Sequence, residues 1–217
     1  MARSALLICN GESPSLSLAH HLARRVDRIV AADGGANTAR RLGITPDTII
    51  GDLDSLTSET RRTFPGSVVV RVERQDNTDL EKALDFLKAD GIRRVAILGM
   101  TGGRVDFTLA NFISLWRYVR SMELVVGGEG WHAVPVFRKR TIRAPRGTVV
   151  SLVPFGACRG VTLRGVKYPL TRHTLRMGEM GVSNVVRSSP ATFRIERGAA
   201  IIIIQRDIRG MAELWPR

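Results

Sequence analysis

The chain has few of the residues that mark disulfide-stabilised or membrane proteins. Its 217 residues include only two cysteines, Cys9 and Cys158, which cannot build a disulfide framework or a Cys-based zinc site. The longest apolar run, from Ala199 to Ile204, is far shorter than the roughly 20 residues that span a bilayer. No basic and apolar leader opens the sequence. We therefore expect a soluble protein of the reducing cytoplasm, with no membrane partner.

Lysine is also scarce, and this argues against a nucleic-acid function. The net charge of +13 is concentrated in residues 128–217, where 16 basic residues face 5 acidic ones. Only four of the 33 basic residues are Lys, and the arginines are scattered through strand-like segments without an aromatic-interleaved RNA motif or a basic helix. We expect no nucleic-acid partner. The basic half can instead attract a polyphosphate substrate.

The side-chain patterns of two common kinds of catalytic site are missing as well. The four histidines show no metal-ligand spacing, and no Ser or Cys lies in a nucleophile-elbow sequence. The composition, with 44% hydrophobic and 24% charged residues, is that of an ordinary globular protein. Function must therefore be sought among the acidic residues.

Residues 1–128 alternate strand-like and helix-like segments. Six short aliphatic runs end at or near Gly, Asp or Asn, as buried parallel strands do: ALLICN, RIVAAD, DTII, SVVVRV, RVAILG and MELVVG. Apolar spacing predicts helices over residues 15–26 and 79–89, and Thr78 with Glu81 forms a T-x-x-E capping box at the start of the second. We expect the most apolar helix, residues 105–119, to pack across the sheet. This pattern predicts an α/β domain with a doubly wound, mostly parallel sheet.

The pattern changes at the glycine-rich GGEG segment, residues 127–130. Short strands separated by Pro, Gly and Ser turns follow it, without a convincing amphipathic helix. Such spacing predicts an all-β sandwich. We therefore predict two domains, residues 1–128 and residues 129–217.

Six aspartates of the first domain form the most informative pattern. Most follow a strand-like run directly: Asp33 in AADGGAN, Asp52 and Asp54 in IIGDLDS, Asp76 and Asp79 in RQDNTDLEKA, and Asp106 in GMTGGRVDF. In an open α/β sheet, the loops beyond the strand ends share one crevice. Converging carboxylates repel one another, and a divalent cation relieves that repulsion, with Mg²⁺ favoured beside a polyphosphate. The pattern predicts a metal–nucleotide site, either of an enzyme or of a metal-dependent nucleotide-binding regulator whose basic half binds nucleic acid.

The IIGDLDS segment is the sharpest of these signals, because it presents two carboxylates at the end of one strand. Asp52 and Asp54 suit a single Mg²⁺, and coincidental turn acids are the alternative. An aspartyl-nucleophile phosphatase motif, D-x-D-x-T, competes with this interpretation. We disfavour it because Gly51 interrupts the apolar strand and Leu56 stands where that motif has Thr.

Each of the other segments also has a simpler structural explanation. Asp33 can be an ordinary helix N-cap, and the acids of RQDNTDLEKA can stabilise a helix start through its dipole. Arg104 can clamp phosphate oxygens, or it can form a surface salt bridge with Asp106. The residues alone leave these alternatives open.

Seven segments in order closely resemble those of thiamine pyrophosphokinases: ADGGAN, GDLDS, QDNTDLEKAL, GGRVDF, SLVPFG, GVTLRGVKYPLT and GVSN. The resemblance covers nearly the whole chain. It implies an ATP-binding α/β domain, a C-terminal β-sandwich that helps to bind thiamine, and a homodimer with active sites at the subunit interface. It also implies that ATP and thiamine react to give AMP and thiamine diphosphate.

The resemblance further implies roles for individual residues. It assigns Mg²⁺ to Asp52, Asp54 and Asp79. It places a larger set near the nucleotide: Asp33, Gly34, Gly35, Asn37, Gln75, Asp76, Thr78 and Arg104. We expect Asp54, Asp79, Arg104 and Asp106 to be the catalytic residues. The chemistry of the transfer makes either Asp106 or Asp79 the expected acceptor of the hydroxyl proton. Asp106, Ser183 and Asn184 would contact thiamine. Phe107 and Val185 depart from the pattern, since bacterial relatives often have His and Glu there.

Overall fold

The computed structural model describes residues 3–74, 76–176, 178–179, 181–211 and 214–215. The chain forms two compact units, one of Met1–Ser114 with Ser121–Glu129 and one of Leu115–Arg120 with Gly130–Arg217. The predicted assignment of separate functions to residues 1–128 and 129–217 stays a prediction. Among the described residues, no helix is both long and apolar enough to cross a membrane.

The first unit is built on a parallel sheet. Its strands are β1 (Ser4–Ile8), β2 (Arg28–Ala32), β3 (Thr48–Gly51), β4 (Val68–Arg71), β5 (Arg94–Leu98) and β6 (Glu123–Gly128). They lie in the order β4-β3-β2-β1-β5-β6, and each neighbouring pair is parallel. β1 is buried throughout, as expected for a strand with helices on both faces of its sheet. The predicted fold class of this half is confirmed.

Helices connect these strands: α1 (Leu16–Ala23), α2 (Gly35–Arg41), α3 (Ser58–Thr63), α4 (Asp79–Ala89) and α5 (Val105–Ser114). The sequence fixes where several of them begin. Ser15 and Thr57 cap α1 and α3 by accepting backbone N–H groups. Thr78 and Glu81 form the predicted reciprocal capping box at the start of α4.

The strand order reverses beside β1, and this reversal opens a crevice. β2 lies on one side of β1 and β5 on the other, so the loops that leave β1 and β5 run next to each other. Gly11 N donates to Gly99 O (2.8 Å), and Glu12 N donates to Thr101 O (2.6 Å). A Cβ at Gly11 would lie 2.3 Å from Thr101 O, so only glycine allows this approach.

The second unit consists of antiparallel strands: β7 (Trp131–Val136), β8 (Lys139–Ile142), β9 (Val149–Pro154), β10 (Cys158–Arg164), β11 (Leu170–Leu175), β12 (Gly181–Val185), β13 (Ala191–Arg194) and β14 (Ala200–Ile204). One set has the order β7-β14-β9-β12 and the other the order β8-β13-β10-β11. Within each set every neighbouring pair is antiparallel. The predicted change from an α/β half to an all-β half is confirmed.

The prediction for residues 105–119 is wrong in two respects. The helix α5 ends at Ser114, and Leu115–Arg117 continue as a 3-10 turn. None of the residues of α5 is buried, although Val105, Leu109 and Ile113 form an apolar stripe at helical spacing. The apolar composition of this helix therefore does not correspond to burial against the sheet.

Candidate active site

Asp33 directly follows β2 and is nearly inaccessible to solvent, with 3% of its surface exposed. Its backbone has φ 43°, an uncommon conformation for a non-glycine residue. Burial raises the pKa of its carboxyl, hydrogen bonds from Ser55 and Gly34 oppose that shift, and the charges of Asp79 and Asp52 add to it. The buried Oδ1 of Asp33 has no hydrogen-bond partner in the described part of the chain. A buried polar atom left in this way needs a physical explanation, and a bound water or ion is one such explanation.

Asp52 and Asp54 follow β3 and lie beside Asp33. One carboxylate oxygen from each of the three lies within 4.8 Å of the others. Leu53 between the two acids has φ 70° and packs with the apolar residues near Phe64. Apolar packing thus holds the strained backbone of Leu53 in place. Strained backbone of this kind is concentrated at functional sites.

Lys82 is a candidate residue of this crevice that the sequence analysis did not select. It lies in α4 with 5% of its surface exposed, and its Nζ donates to Asp52 Oδ2 (3.0 Å) and Asp79 Oδ1 (2.9 Å). Burial lowers the pKa of Lys82, but these two hydrogen bonds outweigh it and the pKa is raised. The bond from Lys82 likewise lowers the pKa of Asp52. Its position three residues after Asp79 in TDLEKAL was the available signal.

The predicted metal set of Asp52, Asp54 and Asp79 stays a prediction. The structure groups Asp33 with Asp52 and Asp54, and Asp79 lies outside this three-acid group. Asp79 instead shares Lys82 with Asp52 across the gap between α4 and β3. The acids of this crevice therefore include a group of three and a neighbour held by an ammonium group.

Asn37 supports the site from α2, without lining its cavity. Its Nδ2 donates to Ser55 O (2.7 Å), and its Oδ1 accepts from Thr57 N (3.3 Å) and Thr57 Oγ1 (3.1 Å). These bonds hold the segment that follows Asp54. The predicted nucleotide contact of Asn37 stays a prediction.

Gly34 and Gly35, the other predicted residues at this turn, are explained by close packing. A Cβ at Gly35 would lie 2.1 Å from Ile8 O, and a Cβ at Gly34 would lie 2.2 Å from Asn10 Nδ2. A side chain at Gly35 would push α2 away from the end of β1, whereas one at Gly34 would displace the side chain of Asn10. Their requirement for glycine therefore does not depend on a nucleotide.

A cavity of about 470 Å³ opens beside these acids in the first unit. Most of its lining comes from the loops after β1 and β5 and from the start of α4; the residues include Cys9, Asn10, Asp33, Ser55, Thr78, Asp79, Arg104, Phe107 and Asn111. Burial raises the pKa of Cys9 to about 12, so its thiol is not a nucleophile. The cavity combines apolar walls with convergent polar groups, as small-molecule sites do.

Arg104 is exposed at this cavity and bound to Asp106. Arg104 Nε lies 3.1 Å from Asp106 Oδ1, a second bond joins Nη2 to Oδ2, and the guanidinium lies 4.6 Å from the ring centroid of Phe107. The hydrogen bond from Arg104 lowers the pKa of Asp106, which makes its carboxylate a weaker base. The surface salt bridge left open by the sequence is therefore present, and Arg104 also lines the cavity.

The remaining nucleotide-binding candidates lie before α4. Asp76 is exposed and accepts two hydrogen bonds of 3.0 Å from Arg74. Gln75 lies outside the described residues. Thr78 lines the cavity and caps α4.

The two predicted thiamine contacts of the second unit differ in their surroundings. Asn184 is buried and holds the backbone of Tyr168, since Oδ1 accepts from Tyr168 N (3.0 Å) and Nδ2 donates to Tyr168 O (2.9 Å). Ser183 is exposed, has φ 57°, and donates its N–H to Ser151 Oγ (3.1 Å). Asn184, Tyr168 and His173 line a separate cavity of about 410 Å³. The sequence analysis did not select Tyr168.

Comparison with known proteins gives matches along most of the chain. Residues 19–126 match the family model "Thiamin pyrophosphokinase, catalytic domain", and residues 139–199 match "Thiamin pyrophosphokinase, vitamin B1 binding domain". A thiamine pyrophosphokinase of Bacillus subtilis is 30% identical over 187 residues, which cover 82% of this chain and 87% of the relative. The chain belongs to the thiamine pyrophosphokinase family.

Solved structures agree with this family. The crystal structure of the Bacillus subtilis thiamine pyrophosphokinase has a TM-score of 0.79 at 27% identity and covers 95% of this chain and 100% of its own. That from Candida albicans has a TM-score of 0.82, covering 95% of this chain and 90% of its own, and at 18% identity it shows the fold alone. The predicted enzyme class, a diphosphotransferase of the thiamine pyrophosphokinase family, is confirmed. The alternative of a nucleic-acid-binding regulator finds no support.

The two thiamine pyrophosphokinase models divide the candidate residues. The catalytic-domain match contains the three-acid group of Asp33, Asp52 and Asp54, together with Asp79, Lys82 and Arg104. The vitamin B1 binding match contains Tyr168, Ser183 and Asn184.

Proposed function

We propose that the chain transfers the diphosphate group of ATP to the hydroxyl of thiamine, that Mg²⁺ assists, and that the active enzyme is a homodimer. The observation that carries the metal site is the buried and unpartnered Oδ1 of Asp33 beside the carboxylates of Asp52 and Asp54. Oxygen ligands of this kind suit Mg²⁺, which retains several waters and also binds substrate phosphates. Asp52 and Asp54 are the proposed ligands, with Asp33 as the third.

The residues around the cavity suit the transfer itself. When bound, Mg²⁺ would offset the negative charge of the phosphates. Arg104 is proposed to clamp a phosphate from the cavity wall. Thr78 and the loop of Gly102 and Gly103 are proposed to lie along the nucleotide. Diphosphate transfer depends chiefly on positioning and charge, so a proton acceptor is needed only late. Asp79, which lines the cavity and accepts from Lys82, and Asp106, which accepts from Arg104, are both proposed as that acceptor.

An assay of AMP release tests the reaction. The purified chain, ATP and MgCl₂ are expected to release AMP only when thiamine is added, with thiamine diphosphate formed in equal amount. The two alcohols that correspond to the halves of thiamine, a hydroxymethylpyrimidine and a hydroxyethylthiazole, test the acceptor range. AMP release that is independent of every acceptor would contradict the proposal.

Arg104 gives the first mutational prediction. Arg104→Lys is expected to lower kcat/KM by about ten- to a hundredfold, the effect of losing one hydrogen bond to a charged group, because a point ammonium does not reproduce the planar fork. The melting temperature should stay unchanged, because an exposed ion pair contributes little to stability.

The matched control for this prediction is Arg71→Lys. Arg71 forms an exposed ion pair with Glu73, also two residues along the chain. Its kcat/KM should equal that of the wild type. If Arg104→Lys behaves like this control, Arg104 is only a surface residue.

The second cavity is proposed to receive thiamine, supported by the vitamin B1 binding match over residues 139–199. Ser183 stands in β12 between two residues that line this cavity, Val182 and Asn184, and does not line it itself. Ser183→Ala is expected to raise the KM for thiamine about two- to tenfold, as the loss of one neutral hydrogen bond does. The KM for ATP should not change, and the exposed Ser188→Ala is the control. Equal losses toward both substrates would mean that Ser183 does not belong to the acceptor site.

The homodimer is supported by the apolar stripe on α5. Leu109 and Ile113 are 60% and 66% exposed, and an exposed apolar patch of this kind marks an interaction surface. Light scattering is expected to give twice the 23.9 kDa of the chain for the wild type and the monomer mass for Leu109→Asp. Leu16→Asp, at an equally exposed leucine of α1, should remain dimeric. A monomeric wild type would exclude this interface.

A further inference from the structure

Lys82 is a buried cation placed among acids. Its side chain is 3% exposed, so its ammonium group does not reach the solvent as that of most lysines does. Its Nζ joins Asp79, in the first turn of α4, to Asp52, just beyond β3. An ammonium group taken out of water is costly unless it is paired, and here both partners belong to the acidic crevice.

The charges around Lys82 suit a counter-ion. Asp33, Asp52 and Asp54 bring their carboxylates within 4.8 Å of one another, and Asp79 adds a fourth. Like charges at this separation repel one another strongly in a partly buried site. Lys82 is the ammonium group that the described structure places in direct contact with two of these acids.

We propose that Lys82 is a positioning residue that serves as the internal counter-ion of this cluster: it stabilises the metal-free site and weakens the binding of a free divalent cation. The cation then binds well only together with nucleotide phosphates, whose negative charge offsets that of Lys82. This inference rests on the proposed Mg²⁺ site.

Two effects of Lys82 on metal binding oppose each other. Its hydrogen bonds hold Asp52 and Asp79 in place, which spares the metal the cost of ordering these side chains. Its charge repels a divalent cation a few ångströms away. The second effect is larger, because it acts on a double charge at the low effective dielectric of a buried group. Removal of the charge should therefore strengthen the binding of free Mg²⁺.

Calorimetric titration with MgCl₂, without nucleotide, tests this inference in Lys82→Met, which keeps most of the side-chain volume. Lys82→Met is expected to bind Mg²⁺ at least about tenfold more tightly than the wild type. Lys88→Met is the matched control, because it removes the same charge from an exposed position of α4 and should leave the affinity unchanged. With α,β-methylene-ATP present, the difference between Lys82→Met and the wild type should shrink.

Thermal unfolding without metal gives a second readout. Lys82→Met should melt below the wild type, because the four carboxylates then lack their cation. The double variant Lys82→Met/Asp79→Asn removes one negative charge as well and should melt above Lys82→Met. This comparison also decides the case in which the single variant is too unstable to titrate.

The failures of the two proposals are distinguishable. Equal or weaker Mg²⁺ binding in Lys82→Met than in the wild type, or a double variant no more stable than the single one, would overturn the counter-ion role. If neither protein binds Mg²⁺, even with α,β-methylene-ATP, the proposed metal site fails and the inference falls with it.

Discussion

Asp54→Asn is expected to lower kcat by about a hundred- to a thousandfold, because the loss of a metal ligand removes several kcal/mol of charge stabilisation from the transition state. The carboxylate of Asp54 belongs to the three-acid group and accepts a hydrogen bond from the hydroxyl of the neighbouring Ser55. Steady-state kinetics at saturating ATP, thiamine and MgCl₂ measure the effect. Asp85→Asn, at an exposed acid of α4, should retain the activity of the wild type.

The metal-free stability of Asp54→Asn distinguishes this role from a structural one. Removal of one charge from a group of carboxylates relieves repulsion, so without metal the variant should melt at or above the temperature of the wild type. A lower melting temperature would show that Asp54 is a structural turn acid. Asp79→Asn should behave differently, because it removes one of the two partners of the buried Lys82.

The parts of the fold that depend on local sequence could be predicted. Buried parallel strands give uninterrupted apolar runs, and the change to short strands with Pro and Gly turns after residue 130 marks the antiparallel half. The capping box of Thr78 and Glu81 depends on a spacing of three residues within one turn. In these cases sequence neighbours are also structural neighbours.

The parts of the site that depend on long-range contacts could not be predicted. Lys82 meets Asp52 across 30 residues of sequence, and no local pattern announces that contact. Nor does any local pattern indicate that Asp33, which follows β2, lies with Asp52 and Asp54 in the three-acid group. Similarly, the sequence GVSN does not indicate that the amide of Asn184 is occupied by the backbone of Tyr168.

The apolar helix α5 illustrates a different limit. The sequence identified residues 105–119 as the most apolar helix, but an apolar helix that packs on the sheet and one that leaves its apolar side chains exposed have the same composition. The structure shows the second case, with Val105, Leu109 and Ile113 exposed.

Gly51→Ala is expected to disable the enzyme through a single methyl group. A Cβ at residue 51 would lie 2.7 Å from Asp33 Cβ and 3.2 Å from Asp79 Oδ1. Because these contacts are too short, the end of β3 must move away from the acids on both of its sides. A displacement of about 1 Å at reacting groups can cost a hundredfold in rate, and the overpacked site should lose about 1 to 3 kcal/mol of unfolding free energy.

Gly66→Ala is the matched control for Gly51→Ala, because no atom lies within 4 Å of a Cβ at residue 66. Its kcat and melting temperature should be close to those of the wild type. Titration with MgCl₂ distinguishes two possible causes of a lower rate in Gly51→Ala. A rate restored by excess MgCl₂ would mean that the variant binds the metal less tightly. A rate that stays low would mean that Asp33 and Asp79 are misaligned. Wild-type kinetics in Gly51→Ala would contradict this prediction, because residues that bind the metal or the substrate should not tolerate such a displacement.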